Sequence, residues 1–240
     1  MFDTEILKDK TAFISGSTGG IGGAIAIALA KCGCNLFLTA TDGKKLKSLA
    51  EEMSLYGVSI YHHVADLTNK NHLYGVVKKA KESFDSIDIV INSAGIFPNI
   101  DLFDIHDDDY TDAMDINFRS AFMFTREFAK DMVDSKWGRI VNIGSSSAYN
   151  GFGGTSLYCA SKHALLGFSR SIHDELKQYN VRTFCISPSS TQSKMGLATK
   201  NQDYSTFIEP SDIAKYVVFV ISFDGNLVSE EVALKRIIVK

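Results

Sequence analysis

TAFISGSTGGIGGAIAIALAKCG, residues 11–33, decides the fold. It begins with five β-favouring residues, passes through a run of glycines and small hydroxyl residues, and ends in a periodic apolar pattern. Ile21, Ile25, Ala28, Leu29 and Cys32 recur with helical spacing, and Gly33 is placed to stop the helix. Strand, glycine-rich turn, helix is the setting of a phosphate-binding loop. Gly16, Gly20 and Gly22 stand in GxxxGxG spacing, which permits a tight turn, close backbone approach to a pyrophosphate, and amides aimed from a helix N-terminus. A glycine cluster alone is as often only a turn; its place after the first strand favours the ligand reading.

The alternation continues outward from this unit. NLFLTA (35–40) reads as a second strand, and Asp42 then starts a helix carrying Leu46, Leu49, Ala50 and Met53. Asp42 stands about twenty residues past the last glycine, where an acid can bind a ribose; helix capping suits its position better. VSIYHHV (58–64) predicts a third strand, followed by Asp66, a capping Thr68 and a helix with Leu73, Val76, Val77, Ala80 and Phe84 inward. IDIVINSAG (87–95) is a nearly continuous apolar run of the kind covered on both faces, closed by Asn92, Ser93, Ala94 and Gly95. A helix is expected from about Asp107 to Asp134, with Asn117 on its apolar stripe. A satisfied core asparagine is the default explanation of that amide. RIVNIGS (139–145) delivers Ser145 to a strand end, and a helix from about Tyr158 places Lys162 one turn on, on the same face. An isolated tyrosine and lysine at this spacing are by default an ordinary partly exposed pair. VRTFCIS (181–187) is a sixth strand that Pro188 breaks. Residues 189–209 carry no period and suit a lid or binding loop. A helix over 210–223, capped by Ser211, and a last strand in ALKRIIV complete the pattern. The whole, residues 1–240, reads as a single α/β domain with one doubly wound sheet and helices on both faces.

Composition narrows the class. The 240 residues are 45% hydrophobic with net charge −3, enough for one large core and no basic patch for nucleic acid. The opening MFDTEILKDK lacks a signal-type apolar run and no segment approaches a membrane span, so a soluble cytoplasmic protein is expected. Cys32, Cys34, Cys159 and Cys185 have no metal-ligand spacing, and no metal is expected. Small residues Ala160, Ala164 and Gly167, with Phe118, Phe122 and Met123 on the preceding helix, suggest a helix-on-helix homodimer, ordinary intrachain packing being the plainer reading. A homotetramer is the alternative.

Together these residues resemble the single-domain short-chain dehydrogenase/reductase family over essentially the whole chain. Ser15, Gly16, Gly20, Ile21 and Gly22 match its TGxxxGxG; Asn92, Ser93, Ala94 and Gly95 match its NNAG; Asn117, Ser145, Tyr158 and Lys162 match its catalytic tetrad. Ser145 is taken from three adjacent serines because it lies thirteen residues before Tyr158. The resemblance implies a Rossmann-type, mostly parallel seven-stranded sheet and hydride transfer between NAD(P) and a small-molecule ketone or secondary alcohol. In that chemistry Tyr158 is general acid or base, Lys162 lowers its pKa, Ser145 holds the reacting oxygen and Asn117 a relaying water. The implied cofactor contacts are Gly16, Gly20, Ile21, Gly22, Thr41, Asp66, Asn92, Ala94, Gly95, Tyr158, Lys162, Pro188 and Ser193; Asp66 matches the family aspartate that contacts the adenine ring, with capping of the next helix as its plainer role. Departures include Gly144 in place of a common serine, Ser189 in place of a glycine, Ser193 in place of a threonine, and Gly19 where NADP users often have a base. With Ala40 and Thr41 ending the second strand, no carboxylate repels a 2′-phosphate, and Lys44 or Lys45 can meet one. NADP is therefore expected over NAD. The alternative from another class is a non-catalytic dinucleotide-binding sensor or scaffold; an epimerase or dehydratase of nucleotide sugars lacks the room it needs beyond residue 189.

Overall fold

The computed structural model describes residues 4–197 and 202–237. Seven strands form one sheet: β1 (Thr11–Ser15), β2 (Asn35–Ala40), β3 (Ile60–Val64), β4 (Ile89–Asn92), β5 (Gly138–Ile143), β6 (Val181–Pro188) and β7 (Glu231–Leu234). The helices are α1 (Gly20–Lys31), α2 (Gly43–Met53), α3 (Lys70–Ser83), α4 (Asp107–Met114), α5 (Ser120–Ser135), α6 (Ser156–Leu176), the short α7 (Lys194–Leu197) and α8 (Pro210–Ile221). The order is β3-β2-β1-β4-β5-β6-β7, and every pairing is parallel, so the expected mostly parallel sheet is parallel throughout the described residues. The order reverses between β1 and β4. Open α/β sheets bind their ligands at such a switch, beyond the carboxyl ends of the strands.

Strand alternation divides the core in two. Ala12, Ile14, Leu36 and Leu38 face α1, α2 and α8, whereas Phe13 and Phe37 face α3 and α5. Phe13 packs tilted against Phe124 and Phe128 of α5, with ring centres 4.6 and 4.9 Å away. β1 and β5 are buried at every residue, as strands covered on both faces must be. β3 is different: it is one edge of the sheet, shorter than expected at its start, with Tyr61 and Val64 exposed.

Several boundaries differ from the sequence reading. Asn69, not Thr68, caps α3, its carboxamide oxygen accepting from the Asn71 and His72 amides. Thr68 instead folds onto Asp66, giving that carboxylate its backbone N–H and its hydroxyl. α8 is capped at Glu209 with Pro210 in the first turn, where its missing N–H costs nothing, so Ser211 is inside the helix. Pro188 is the last residue of β6 rather than its breaker. β7 begins two residues before ALKRIIV because it pairs Glu231 with Cys185; the end of that segment, with residues 198–201 of the 189–209 loop, lies outside the described residues. The long helix expected over 107–134 is two helices joined by a π turn, Asp115–Arg119, which carries Asn117.

Candidate active site

The glycine loop is shaped by contacts that only glycine allows. Gly16 has φ +67°, and a Cβ there would lie 2.7 Å from Ala94, so the loop rests directly on the strand end after β4. A Cβ on Gly22 would lie 2.4 Å from the Gly16 carbonyl, which fixes how α1 leaves the loop. Gly19 caps α1 with no side chain of its own, and no acidic residue occupies the first turn. No side chain caps the first-turn amides. Gly20 lies against Ser193, whose hydroxyl accepts from the Gly196 amide at the start of α7. The remaining proposed contacts follow the same edge: Thr41 exposed after β2, Asp66 exposed after β3, and Pro188 buried at the end of β6. Asn92 is engaged inward. Its amide nitrogen donates to Thr125 (3.1 Å) and Asn142 (2.8 Å), and Asn142 donates to Ser169 (2.8 Å). This chain ties β4 and β5 to α5 and α6; Thr125 and Ser169 look like ordinary helix positions in sequence.

Asn117, Ser145, Tyr158 and Lys162 are all buried, with exposures of 1, 8, 7 and 5%. The bland reading of Tyr158 and Lys162 as a surface pair is excluded by those values. Ser145 follows β5 in extended backbone and accepts the Ser147 amide, which fixes its hydroxyl. Tyr158 lies in the first turn of α6, with Phe97 edge-on to its ring at 4.8 Å. The Lys162 ammonium donates to the Ile143 carbonyl at 2.8 Å and stands 5.8 Å from the Tyr158 ring centre. Asn117 is a double clamp on Ile96, accepting its N–H at 2.8 Å and donating to its carbonyl at 3.0 Å; it also donates to Ser161 at 2.9 Å. A Cβ on Gly95 would meet Asn117 Oδ1 at 3.3 Å and Lys162 Nζ at 3.8 Å. Gly95 therefore lets the strand end touch both groups.

The titrations run against the simplest expectation. Burial raises the Tyr158 pKa, outweighing a hydrogen bond from Ser145 that lowers it, and burial brings Lys162 down to about 8. Burial thus favours the protonated phenol, a form suited to proton donation. Gly144 is explained by its neighbours: a Cβ there would fall 2.3 Å from Ser187 Oγ and 3.1 Å from Cys185 Sγ, so β6 occupies the space of the missing side chain. Tyr149, Phe152 and Met195 are open to solvent. A cavity of about 240 Å³ lies between the glycine loop and α2, lined by Ser17, Thr18, Lys45, Ser48 and the acidic Glu52. A larger one, about 330 Å³ between α2 and β3, contains none of these groups.

The short chain dehydrogenase family model matches residues 10–204. A 3-oxoacyl-acyl-carrier-protein reductase FabG from Rickettsia felis is 31% identical over 233 residues, covering 93% of each chain. Nodulation protein G from a Rhizobium species (strain N33) is 33% identical over 189 residues, covering 79% of this chain and 76% of its own. Among solved structures, a metagenomic short-chain oxidoreductase in complex with NADP superposes with TM-score 0.83 at 27% identity, covering 97% of this chain and 99% of that one. No described helix is long and apolar enough to cross a membrane. With the parallel sheet, the glycine loop and the buried tyrosine and lysine, these matches establish that the chain belongs to the short-chain dehydrogenase family and is an NAD(P)-dependent oxidoreductase acting on CH–OH groups.

Proposed function

We propose that the protein, acting as one dinucleotide-binding and catalytic domain, reduces a ketone to a secondary alcohol with NADPH, and that Asn117, Ser145, Tyr158 and Lys162 carry the chemistry. The observation that supports this most is the burial of Tyr158 and Lys162 together beside Gly95 and Asn117, where β4 ends. The loop that Gly16 and Gly22 keep free of side chains suits a pyrophosphate on the α1 amides. When bound, the cofactor supplies the hydride. Ser145 hydrogen-bonds the substrate carbonyl oxygen, and Tyr158, held protonated by burial, donates the proton to it. Lys162 then stabilises the phenolate and holds the nicotinamide ribose. Asn117, fixed through both Ile96 backbone groups, positions the water through which the proton is replaced.

NADP is preferred because no carboxylate ends β2 and the cavity beside the glycine loop is lined by the Thr18 and Ser48 hydroxyls and by Lys45, whose ammonium also pairs with Asp42 at 3.7 Å; Glu52 lines the same cavity. The relative solved with NADP agrees with this choice. NADPH is expected to raise Tm more than NADH at equal concentration; the reverse order would overturn the preference. Exposed Phe122 and the open helix face at Gly167 support a homodimer through α5 and α6. The decisive experiment replaces the acid. Tyr158→Phe should abolish NADPH oxidation across a panel of ketones and aldehydes while NADPH affinity changes by no more than about threefold, since Tyr158 supplies the proton and little of the binding. Retained turnover would sink the assignment.

A further inference from the structure

Asn117 is held in the middle of a π turn whose two ends, Asp115 and Arg119, are joined by an ion pair of 2.7 Å. A π turn inserts one extra residue. Its relaxation to α geometry rotates the downstream helix by about 100° around its axis. The Asp115–Arg119 pair therefore acts as a staple that keeps the asparagine facing Ile96 and Ser161. The staple is also anchored elsewhere: the second terminal nitrogen of Arg119 donates to the Thr68 carbonyl at 3.0 Å. Thr68 belongs to the turn that closes on Asp66, whose Oδ1 accepts both the Thr68 N–H (3.0 Å) and the Thr68 hydroxyl (2.9 Å). Asp66 Oδ2 makes no hydrogen bond among the described residues and stands exposed after β3. One guanidinium thus spans the adenine-side turn and the turn that carries Asn117. Arg119 Nε is buried without a partner, so this bridge is kept at a cost that an ordinary surface ion pair does not bear.

We propose that Arg119 is a positioning residue that couples occupancy at Asp66 to the geometry of Asn117. A base hydrogen-bonded to Asp66 Oδ2 fixes the Thr68 carbonyl, the carbonyl fixes Arg119, and Arg119 holds the π turn in the arrangement that clamps Ile96. By reciprocity, an ordered π turn strengthens binding at Asp66. The proposal rests on the reading of Asp66 as an adenine contact, and its test keeps the two apart.

The test uses ADP-ribose and its 2′-phosphorylated form, which carry the adenine and lack the nicotinamide. Calorimetry measures their binding to the full chain, and hydrogen–deuterium exchange follows the peptide spanning 113–121. Saturating fragment is expected to slow exchange in that peptide by about fivefold or more in the wild type, the low end of ordinary coupling. In Arg119→Ala the fragment should still bind, with protection below about twofold by the same measure of coupling. Arg119→Lys should recover only part, because one ammonium cannot serve Asp115 and Thr68 with fork geometry. Should Arg119→Ala unfold, Arg119→Gln, which retains bulk and loses the ion pair, is expected to give the same loss. Fragment that binds the wild type without protecting 113–121, or that protects the variants equally, overturns the coupling. Fragment that does not bind the wild type overturns the dinucleotide reading and the coupling with it.

Discussion

Tyr158 and Lys162 share one turn of α6, and burial moves their titrations in opposite directions, the phenol upward and the ammonium down to about 8. The lysine shift is a stability statement. Its ordinary pKa is near 10.5, so the unfolded chain binds more protons than the folded one between about pH 8 and 10.5. Stability on this account rises with pH through that window; below about pH 8 both states are protonated and the full penalty of burying the charge is present. Lys162→Met removes the charge while keeping the bulk. It should raise stability at pH 7 by about 1–3 kcal/mol, the shift less the lost bond to Ile143, and the gain should vanish by about pH 10.5. Denaturation with urea at both pH values measures it, and a gain independent of pH would refute the cause. The identities of all four proposed catalytic residues were legible because each sits at a fixed place in a motif. Their partners were not. Asn117 clamps backbone groups of Ile96, and Lys162 reaches the Ile143 carbonyl; neither contact leaves a mark in the types of residues 96 and 143.

The elements were read from apolar period, and the period fails where a turn is not α-helical. Over 107–134 apolar residues run on past Asn117, and nothing in the residue types marks where the turn widens to π; Tyr110, upstream of it, is exposed. The same limit applies at strand ends. Gly144 looked like a departure from the family pattern, and only the packing of β6 shows that Ser187 and Cys185 fill the space. Gly144→Ala should therefore destabilise by about 1–3 kcal/mol through overpacking. Ser187→Gly, which clears the nearest atoms, should recover much of that loss in the double variant although it weakens the strand on its own. A double-mutant cycle on Tm reads the coupling. Additive losses would mean that the two residues do not compete for one space. Arg139 shows how much a single side chain in β5 can organise unseen: fully buried, it donates to the Ile221 and Phe223 carbonyls and pairs with Asp224 at 2.7 Å, fastening the end of α8 to the sheet. In sequence it is one charged residue before an apolar strand.

At the scale of the molecule, alternation of strands and helices was enough for the doubly wound sheet, but not for the strand order with its reversal between β1 and β4. What alternation cannot give is the outer surface, since a helix face left open in one chain has the same period as one covered within it. On α5 and α6 the face is apolar and incomplete. Phe168 meets Phe118 and Phe122 edge-on at 5.9 and 6.0 Å, Phe122 is 37% exposed, and nothing lies within 4 Å of a Cβ placed on Gly167. Aromatic side chains around a small residue are what a close helix pair between two copies requires. Gly167→Arg separates fold from assembly. The open space accommodates arginine in one chain, and replacing a helical glycine favours the helix by about 0.5–1 kcal/mol, so the monomer should lose no stability. Between two copies the same side chain places bulk and charge where the helices meet. Sedimentation velocity should show a dimer for the wild type and a monomer for Gly167→Arg, with NADPH still bound; a dimer unchanged by the substitution places the contact on another face.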